Sequence, residues 1–363
     1  MKNVKGKKVY VGLSGGVDSA VTAALLQRAG AHVTGVFIKG WYPPGMPCTW
    51  SEDRRDAMRV AAHLRIPFLT LDASEEYKRG VIDYLLREYK AGRTPNPDVM
   101  CNKDVKFGAF HTFAKEQGAD YLATGHYAQA VRIGDGNNVN GEGGASEHEH
   151  KTRLVRGIDP DKDQSYFLWA IPQESLQDTL FPLGGMRKPA VRTLAASFKL
   201  PNATKRDSQG ICFLGNISIE EFLANEFGTK SGSAYDTDGV EIGEHAGALL
   251  STIGQRIALT DAPPGPWYVI AKDVEKNRLT VAHTPRLKAA SSIKLEHTNW
   301  FTEPQPNKEY TAQYRYHGPK LTGTFNSLSQ TFTANSAIDE VIASGQSLVL
   351  YEGEECIGGG IIA

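Results

Sequence analysis

The stretch Gly12-Leu13-Ser14-Gly15-Gly16-Val17-Asp18-Ser19 combines two adjacent glycines with two hydroxyls and a carboxylate. Glycines allow the backbone to approach a ligand closely. Successive N–H groups leading into a helix make a concavity that favours phosphate. The apolar run Val9–Leu13 precedes the stretch, and the helix-patterned segment Ser19–Arg28, closed by Gly30, follows it. No lysine stands before Ser19, so the loop lacks the side chain with which a Walker loop grips the β- and γ-phosphates. The chemistry expected of it is cleavage of a nucleotide between the α- and β-phosphates. An ordinary glycine turn is the competing account, and the strand–loop–helix setting argues against it.

Two further stretches place a cysteine in a polar, cationic loop. In Arg93-Thr94-Pro95-Asn96-Pro97-Asp98-Val99-Met100-Cys101-Asn102-Lys103, Asp98 and Cys101 stand three residues apart, with Lys103 and Lys106 nearby. Neighbouring cations favour the thiolate, and the two prolines predict a rigid extended loop in place of a helix. In Lys205-Arg206-Asp207-Ser208-Gln209-Gly210-Ile211-Cys212-Phe213-Leu214 a second cysteine follows a similar run. Two such thiols can act as a pair, one carrying sulfur as a persulfide and the other resolving it by disulfide exchange. The alternative is a pair of inert buried thiols, the reading given to Cys48 and Cys356. None of the four cysteines forms a CxxC pair, so no protein-held metal site of common spacing is expected. His148 and His150 lie in a polar insertion and read as solvated.

These loops need a frame. Strand and helix patterns alternate through Val33–Lys39, Asp53–Leu64, Phe68–Leu71, Tyr77–Lys90, Phe107–Glu116 and Tyr121–Ala123, which predicts a parallel sheet with helices on both faces. The Gly12–Ser19 loop then lies at the carboxyl end of the first strand, where such sheets bind ligands. Ala128–Ile133 and Arg153–Ile158 read as a hairpin interrupted by the Gly134–His150 insertion, and Lys188–Lys199 reads as a helix. From about Ile217 the composition turns toward β structure, with one short helix at Ile219–Glu226 and a hairpin of Trp267–Lys272 with Arg278–His283. From Ser291 onward short alternating strands predict a small closed barrel or sandwich. The expected division is 1–216, 217–288 and 289–363: an α/β catalytic domain, a small mostly-β central domain and a C-terminal β-barrel.

Composition sets outer bounds. The 363 residues carry a formal net charge of −1, so the chain shows no global sign of a nucleic-acid binder. Basic residues cluster locally, at Lys78, Arg79, Arg87, Lys90 and Arg93, and at Arg187, Lys188, Arg192, Lys199, Lys205 and Arg206. Tyr314-Arg315-Tyr316-His317 interleaves aromatic and basic groups. Phosphate contacts with aromatic stacking are how unpaired RNA is held, whereas each cluster alone reads as a solvated face. Met1–Lys8 is basic without an apolar core, and no run approaches membrane-span length, so a cytoplasmic protein without membrane contact is expected.

Ser14-Gly15-Gly16-Val17-Asp18-Ser19 resembles the PP-loop of the ATP pyrophosphatases, a superfamily that includes amide-forming ligases. Asn96-Pro97-Asp98, Cys101-Asn102, Ala123-Thr124-Gly125-His126-Tyr127, Lys162-Asp163-Gln164-Ser165, Gly210-Ile211-Cys212-Phe213 and Gly358-Gly359-Gly360 narrow it. This ordered set closely resembles the bacterial tRNA-specific 2-thiouridylases from about residue 8 to the C-terminus. The resemblance implies that Gly12, Leu13, Ser14, Gly15, Gly16, Val17, Asp18 and Ser19 bind ATP with Mg2+, helped by Ile38 and Gly125. The family often has Met where Ile38 stands, a minor change if that contact is through the backbone. It also implies Cys101 as nucleophile, Cys212 as persulfide carrier and Asp98 as acid–base partner. Asn96, Pro97 and Asp98 would hold the target base, and His126, Lys162, Asp163, Gln164, Arg315, Tyr316 and Gln346 would contact tRNA. The implied reaction is ATP-dependent 2-thiolation of the wobble uridine by a monomer served by a persulfide-carrying donor protein. The Gly134–His150 insertion looks longer than is usual in the family. A PP-loop ligase that adenylates a carboxylate, and a non-catalytic RNA-binding relic, remain open as other readings.

Overall fold

The computed structural model describes residues 3–42, 50–132, 152–207, 218–285 and 290–363. Cys48, Cys212, the Gly134–His150 insertion and the Gly210-Ile211-Cys212-Phe213 motif lie outside them. The first section is built on a five-stranded sheet. Its strands are β1 (Lys8–Gly12), β2 (His32–Lys39), β3 (Phe68–Asp72) and β4 (Tyr121–Ala123), with Thr179–Leu180 at one edge. Their order is β3-β2-β1-β4 and then Thr179–Leu180, and every pairing is parallel. Val9 and Val11 of β1 are fully buried. Helix α1 (Val17–Arg28) buries Ala20, Val21, Thr22, Ala23, Ala24 and Leu26, a set small enough for close helix–sheet approach. The chain adds strands to one side of β1 through β2 and β3 and to the other through β4, and this switch in order leaves a crevice beyond the carboxyl end of β1.

The remaining strands form two sheets. Gly232–Tyr235, Glu241–His245, Arg256–Ile257, Trp267–Asp273 and Arg278–Ala282 make the central one, and Trp267, Val269, Leu279 and Val281 fill its small core. The last sheet closes on itself, because Ala290–Trp300 pairs with both Thr331–Ile338 and Glu355–Ile362. Closure leaves no open edge between those strands. The expected hairpin forms from Ala128–Arg132 and Thr152–Arg156, and it joins the barrel: Thr152–Arg156 pairs antiparallel with Glu355–Ile362. One buried cluster accordingly runs from Phe107 and Trp169 through Phe222 and Leu250 to Val349, Tyr351 and Cys356.

The segment ahead of Cys101 is clamped by the barrel. Thr94 N–H donates to Ser344 O (2.8 Å), and Gln346 Nε2 donates to Thr94 O (2.8 Å). Arg93 pairs with Glu296 of the barrel, and its Nε lies 2.7 Å from Glu88 without an aligned hydrogen bond. Gly345 sits against this turn at φ +89°, where a Cβ would lie 2.9 Å from Thr94 N. Ala at 345 therefore meets both a left-handed backbone and a backbone atom too near to yield. Gly345→Ala should cost about 1–3 kcal/mol in urea unfolding. A loss within about 0.5 kcal/mol, the scale of an ordinary surface change, would contradict the clamp.

Candidate active site

The loop between β1 and α1 is held open by its own hydroxyls. Ser19 Oγ accepts from Ser14 N–H (3.3 Å) and donates to Gly16 O (3.1 Å), and Ser14 Oγ accepts from Gly16 N–H (3.3 Å). Gly16 occupies the N-cap position of α1 in extended conformation, without a side-chain cap. The first-turn amides of α1 have no partners within the helix and carry its positive end. Gly15 takes φ +77°, and a Cβ there would lie 2.5 Å from Asp53 O, at the start of helix α2 (Trp50–Leu64). After β4, Gly125 faces the same helix end: a Cβ on it would lie 2.9 Å from Ser19 N. Glycine at 125 thus keeps clear the space in front of the α1 amides. Ile38, half-buried near the end of β2, lies beside Gly12.

Charged side chains surround this opening. Asp18 accepts from Tyr127 Oη (2.9 Å) and from Lys188 Nζ at both carboxylate oxygens (2.8 Å each). Lys188 also pairs with Asp207 (2.8 Å), which is shared by Lys162 (3.2 Å) and Arg192. Lys205 pairs with Asp53 (2.9 Å) and Asp56 (2.8 Å), and Asn202 Nδ2 donates to Gly15 O (2.9 Å). The segment 202–207 is thereby laced over the loop. Sequence reasoning placed Lys188, Lys205 and Arg192 in a basic cluster and did not foresee Lys188, Asp207 and Tyr127 as neighbours of Asp18. The available signal was Asp207, an acid set among those cations.

Cys101 is positioned differently from the extended loop its two prolines predict. Pro97–Met100 is helical, and a wider-turned helix, Cys101–Ala109, continues it into Phe110–Glu116. Pro97 stands in the first turn, where a missing N–H costs nothing, and Asn96 caps the start by accepting from Val99 N–H (3.4 Å). Asp98 and Cys101 therefore share one helical side, three residues apart. The Cys101 thiol is buried. Burial raises the Asp98 pKa above the usual carboxylate range, opposed by the charge of Lys106. Asn102 donates to Phe167 O (3.1 Å), while its Oδ1 is buried and meets no partner among the described residues. Phe110 lies against Gly12, and Phe107 against His126 at 5.7 Å between rings, so this helix passes the ends of β1 and β4. Lys103 turns elsewhere, lining a cleft with Arg79, Gly80 and Asp104.

The residues expected at RNA divide into enclosed and exposed sets. His126 is buried between Phe107 and Phe181, shares a 2.8 Å hydrogen bond with Thr124 Oγ1, and is kept neutral by desolvation and by Lys106. Asp163 is enclosed as well, accepting from Gly157 N–H (2.9 Å), Ser165 N–H (3.1 Å) and Arg156 (2.9 Å). Both support the fold in this conformation, and neither ring nor carboxylate is presented outward. Gln164 Oε1 accepts from Tyr127 N–H (3.0 Å), which ties the Lys162–Ser165 turn to the segment after Gly125. Lys162 keeps part of its side chain in solvent. Arg315 is exposed and paired with Glu340 (2.8 Å), and Tyr316 packs on Phe167 and His317. Gln346 is occupied by the clamp on Thr94.

The donor set fits a nucleotide. Backbone amides at a helix start, with approach kept open by Gly125, suit phosphate. A hard Mg2+ takes one or two carboxylates and completes its shell from phosphates and water; Asp18 is the carboxylate at that place. No group of three or more His, Cys, Asp or Glu that could hold a metal occurs among the described residues. Nor is any described helix long and apolar enough to cross a membrane.

The parallel sheet, the glycine loop and the closed barrel define a nucleotide-binding α/β domain of the HUP class carrying β-barrel additions. Residues 7–216 match the family described as tRNA methyl transferase HUP domain. Residues 220–283 match its PRC-barrel domain, and 290–362 the aminomethyltransferase beta-barrel domain. Proteins named tRNA-specific 2-thiouridylase MnmA from two strains of Streptococcus thermophilus are 42% identical over 369 residues, covering 98% of this chain and 95% of theirs. The chain belongs to the family of tRNA-specific 2-thiouridylases, sulfurtransferases that modify tRNA. Among solved structures, the NMN synthetase of Francisella tularensis is 17% identical, with 56% of this chain and 66% of that one covered and a TM-score of 0.33. The U34-tRNA thiolase NcsA of Methanococcus maripaludis is 17% identical, with 58% and 61% covered and a TM-score of 0.34. Likeness at that level does not reach function.

The raised pKa of Asp98 has a signed consequence. A carboxyl group whose folded pKa lies above its unfolded value of 3.8 contributes stability below that value, and loses it as pH rises through the folded pKa. Asp98→Asn, which cannot ionise, should be more stable than the parent at pH 7, the difference closing below about pH 4. Urea unfolding at both pH values checks this, and a difference independent of pH would refute it.

Proposed function

We propose that this chain catalyses ATP-dependent 2-thiolation of the wobble uridine of tRNA. The Gly12–Ser19 loop holds ATP, and Asp18 is the carboxylate that would hold Mg2+, which when bound offsets phosphate charge. The uridine 2-oxygen attacks the α-phosphate and pyrophosphate leaves, so that a poor leaving group becomes AMP. Sulfur arrives from a donor protein as a Cys212 persulfide. In one route its terminal sulfur attacks carbon 2, AMP departs, and the Cys101 thiolate then attacks the Cys212 sulfur to release the thiocarbonyl. In the other, Cys101 first displaces hydrosulfide, which attacks carbon 2 as AMP departs. Both leave a Cys101–Cys212 disulfide for an outside reductant. Asp98, whose pKa burial raises, is suited to pass a proton at the base, with Asn96 and Pro97 beside it. Lys162, Gln164, Arg315, Tyr316 and Gln346 are the proposed tRNA contacts, and His126 and Asp163 hold the surfaces that carry them.

The observation that carries this reading is that the carboxyl end of one sheet bears three features. They are a phosphate-suited helix start kept open by Gly125, a buried thiol on the helix that packs on Gly12, and the ion-paired root of the segment that contains Cys212. An amide-forming ligase needs the first feature alone.

Incubating the protein with tRNA, ATP, a persulfide-loaded donor protein and a thiol reductant should replace one uridine oxygen by sulfur, detected by mass spectrometry, with release of pyrophosphate. Cys101→Ser or Cys212→Ser should abolish sulfur incorporation while ATP still binds. Unchanged turnover in Cys212→Ser would exclude the thiolation chemistry.

A further inference from the structure

We propose that Lys188 is the side-chain cation that holds the ATP polyphosphate, and that Asp207 occupies the phosphate position until ATP displaces it. This rests on the reading of the Gly12–Ser19 loop as an ATP site. A PP-loop lacks the lysine of a Walker loop, so a cation for the phosphates must come from elsewhere in the fold. Lys188 is the first residue of the helix Lys188–Ser197, and its backbone N–H is fixed by Asp159 Oδ2 (2.7 Å). Its ammonium, largely enclosed, reaches Asp18 in the first turn of α1 and Asp207 at 2.8 Å each.

The two carboxylates differ in how they are held. Asp18 is fixed on α1 and keeps the Tyr127 hydroxyl as a second donor. Asp207 gathers three cations: Lys188, Lys162 and Arg192. Arg192 is separately anchored, donating to Ala203 O (3.2 Å) and to Lys205 O. Without Asp207, three cations lose a shared acid and, among the described residues, only Lys188 keeps a carboxylate, Asp18, beside the positive end of a helix. That is the charge pattern a polyphosphate completes, each phosphate oxygen replacing a carboxylate oxygen at charge-assisted hydrogen-bond distance. No bond is made or broken in the exchange.

The test is calorimetric titration of the full chain with MgATP, without tRNA, and with adenosine as the phosphate-free control. Asp207→Asn removes the competing anion and should tighten MgATP binding several-fold. Lys188→Met should weaken it roughly tenfold or more, with adenosine affinity unchanged, and Lys188→Arg should restore most of the loss. Weaker or unaltered MgATP binding in Asp207→Asn overturns the stand-in role. Equal loss of ATP and adenosine in Lys188→Met makes Lys188 structural and overturns its assignment. Should Lys188→Met fail to fold, Lys188→Arg and the sign of the Asp207→Asn effect decide. If the parent chain binds no MgATP, the ATP reading falls and this inference with it. If the parent binds and Asp207→Asn binds less, only this inference falls.

Discussion

The site depends on the contact between the barrel and the turn at Arg93–Asn96. That turn sets where the helix starting at Pro97 begins, and hence where Cys101 lies. A turn between two helices has few internal hydrogen bonds with which to fix its own course. Here the fixing groups come from distant chain: Ser344 O, Gln346 Nε2, Glu296 and the close approach that Gly345 permits. The barrel is therefore part of the catalytic frame. The RNA surface proposed above is added to that structural role. The hairpin of Ala128–Arg132 and Thr152–Arg156 reinforces the union from the other side, placing Arg156 over the Tyr351 ring at 3.5 Å.

Local pattern carried the elements that obey one period. The parallel strands, α1 and the late β-rich strands were legible because each buries a face at regular spacing, as Val9 and Val11 do. The glycine loop was legible because its residue types have few other uses in that setting. Asn96-Pro97 was misread: a proline argues against helix at interior positions, yet at the first helical turn it is favoured, and Asn ahead of it is a cap. The hairpin was found, but its partner strand was not. The pairing of Thr152–Arg156 with Glu355–Ile362 spans much of the chain, and no local pattern encodes it.

His126 and Asp163 show a second limit. Both stand in motifs that resemblance ties to RNA, yet motif membership does not separate a residue that touches a ligand from one that shapes the surface beneath it. Burial does. His126 lies between two phenylalanines, and the Asp163 carboxylate accepts from two backbone N–H groups as well as Arg156. A carboxylate satisfied in that way organises a turn, and losing Arg156 would leave it buried without its cationic partner.

A chain of net charge −1 that handles a polyanion must have cations it can lend. Here they are already paired with acids. Arg315 with Glu340 is half-exposed on both sides, and such a pair is worth about 0–1 kcal/mol, so a phosphate can replace the acid at little cost. Lys162 is part-exposed too, but its acid, Asp207, is less open and is shared with Lys188 and Arg192. Arg156 with Asp163 is enclosed and stacked on Tyr351, and its separation would strand a charge away from water. Accessibility thus sorts the basic residues into those available to a phosphate and those committed to the fold. Pairing each lent cation with an exposed acid also limits binding to passing anions, because a ligand must offer several phosphates at once to outcompete several carboxylates.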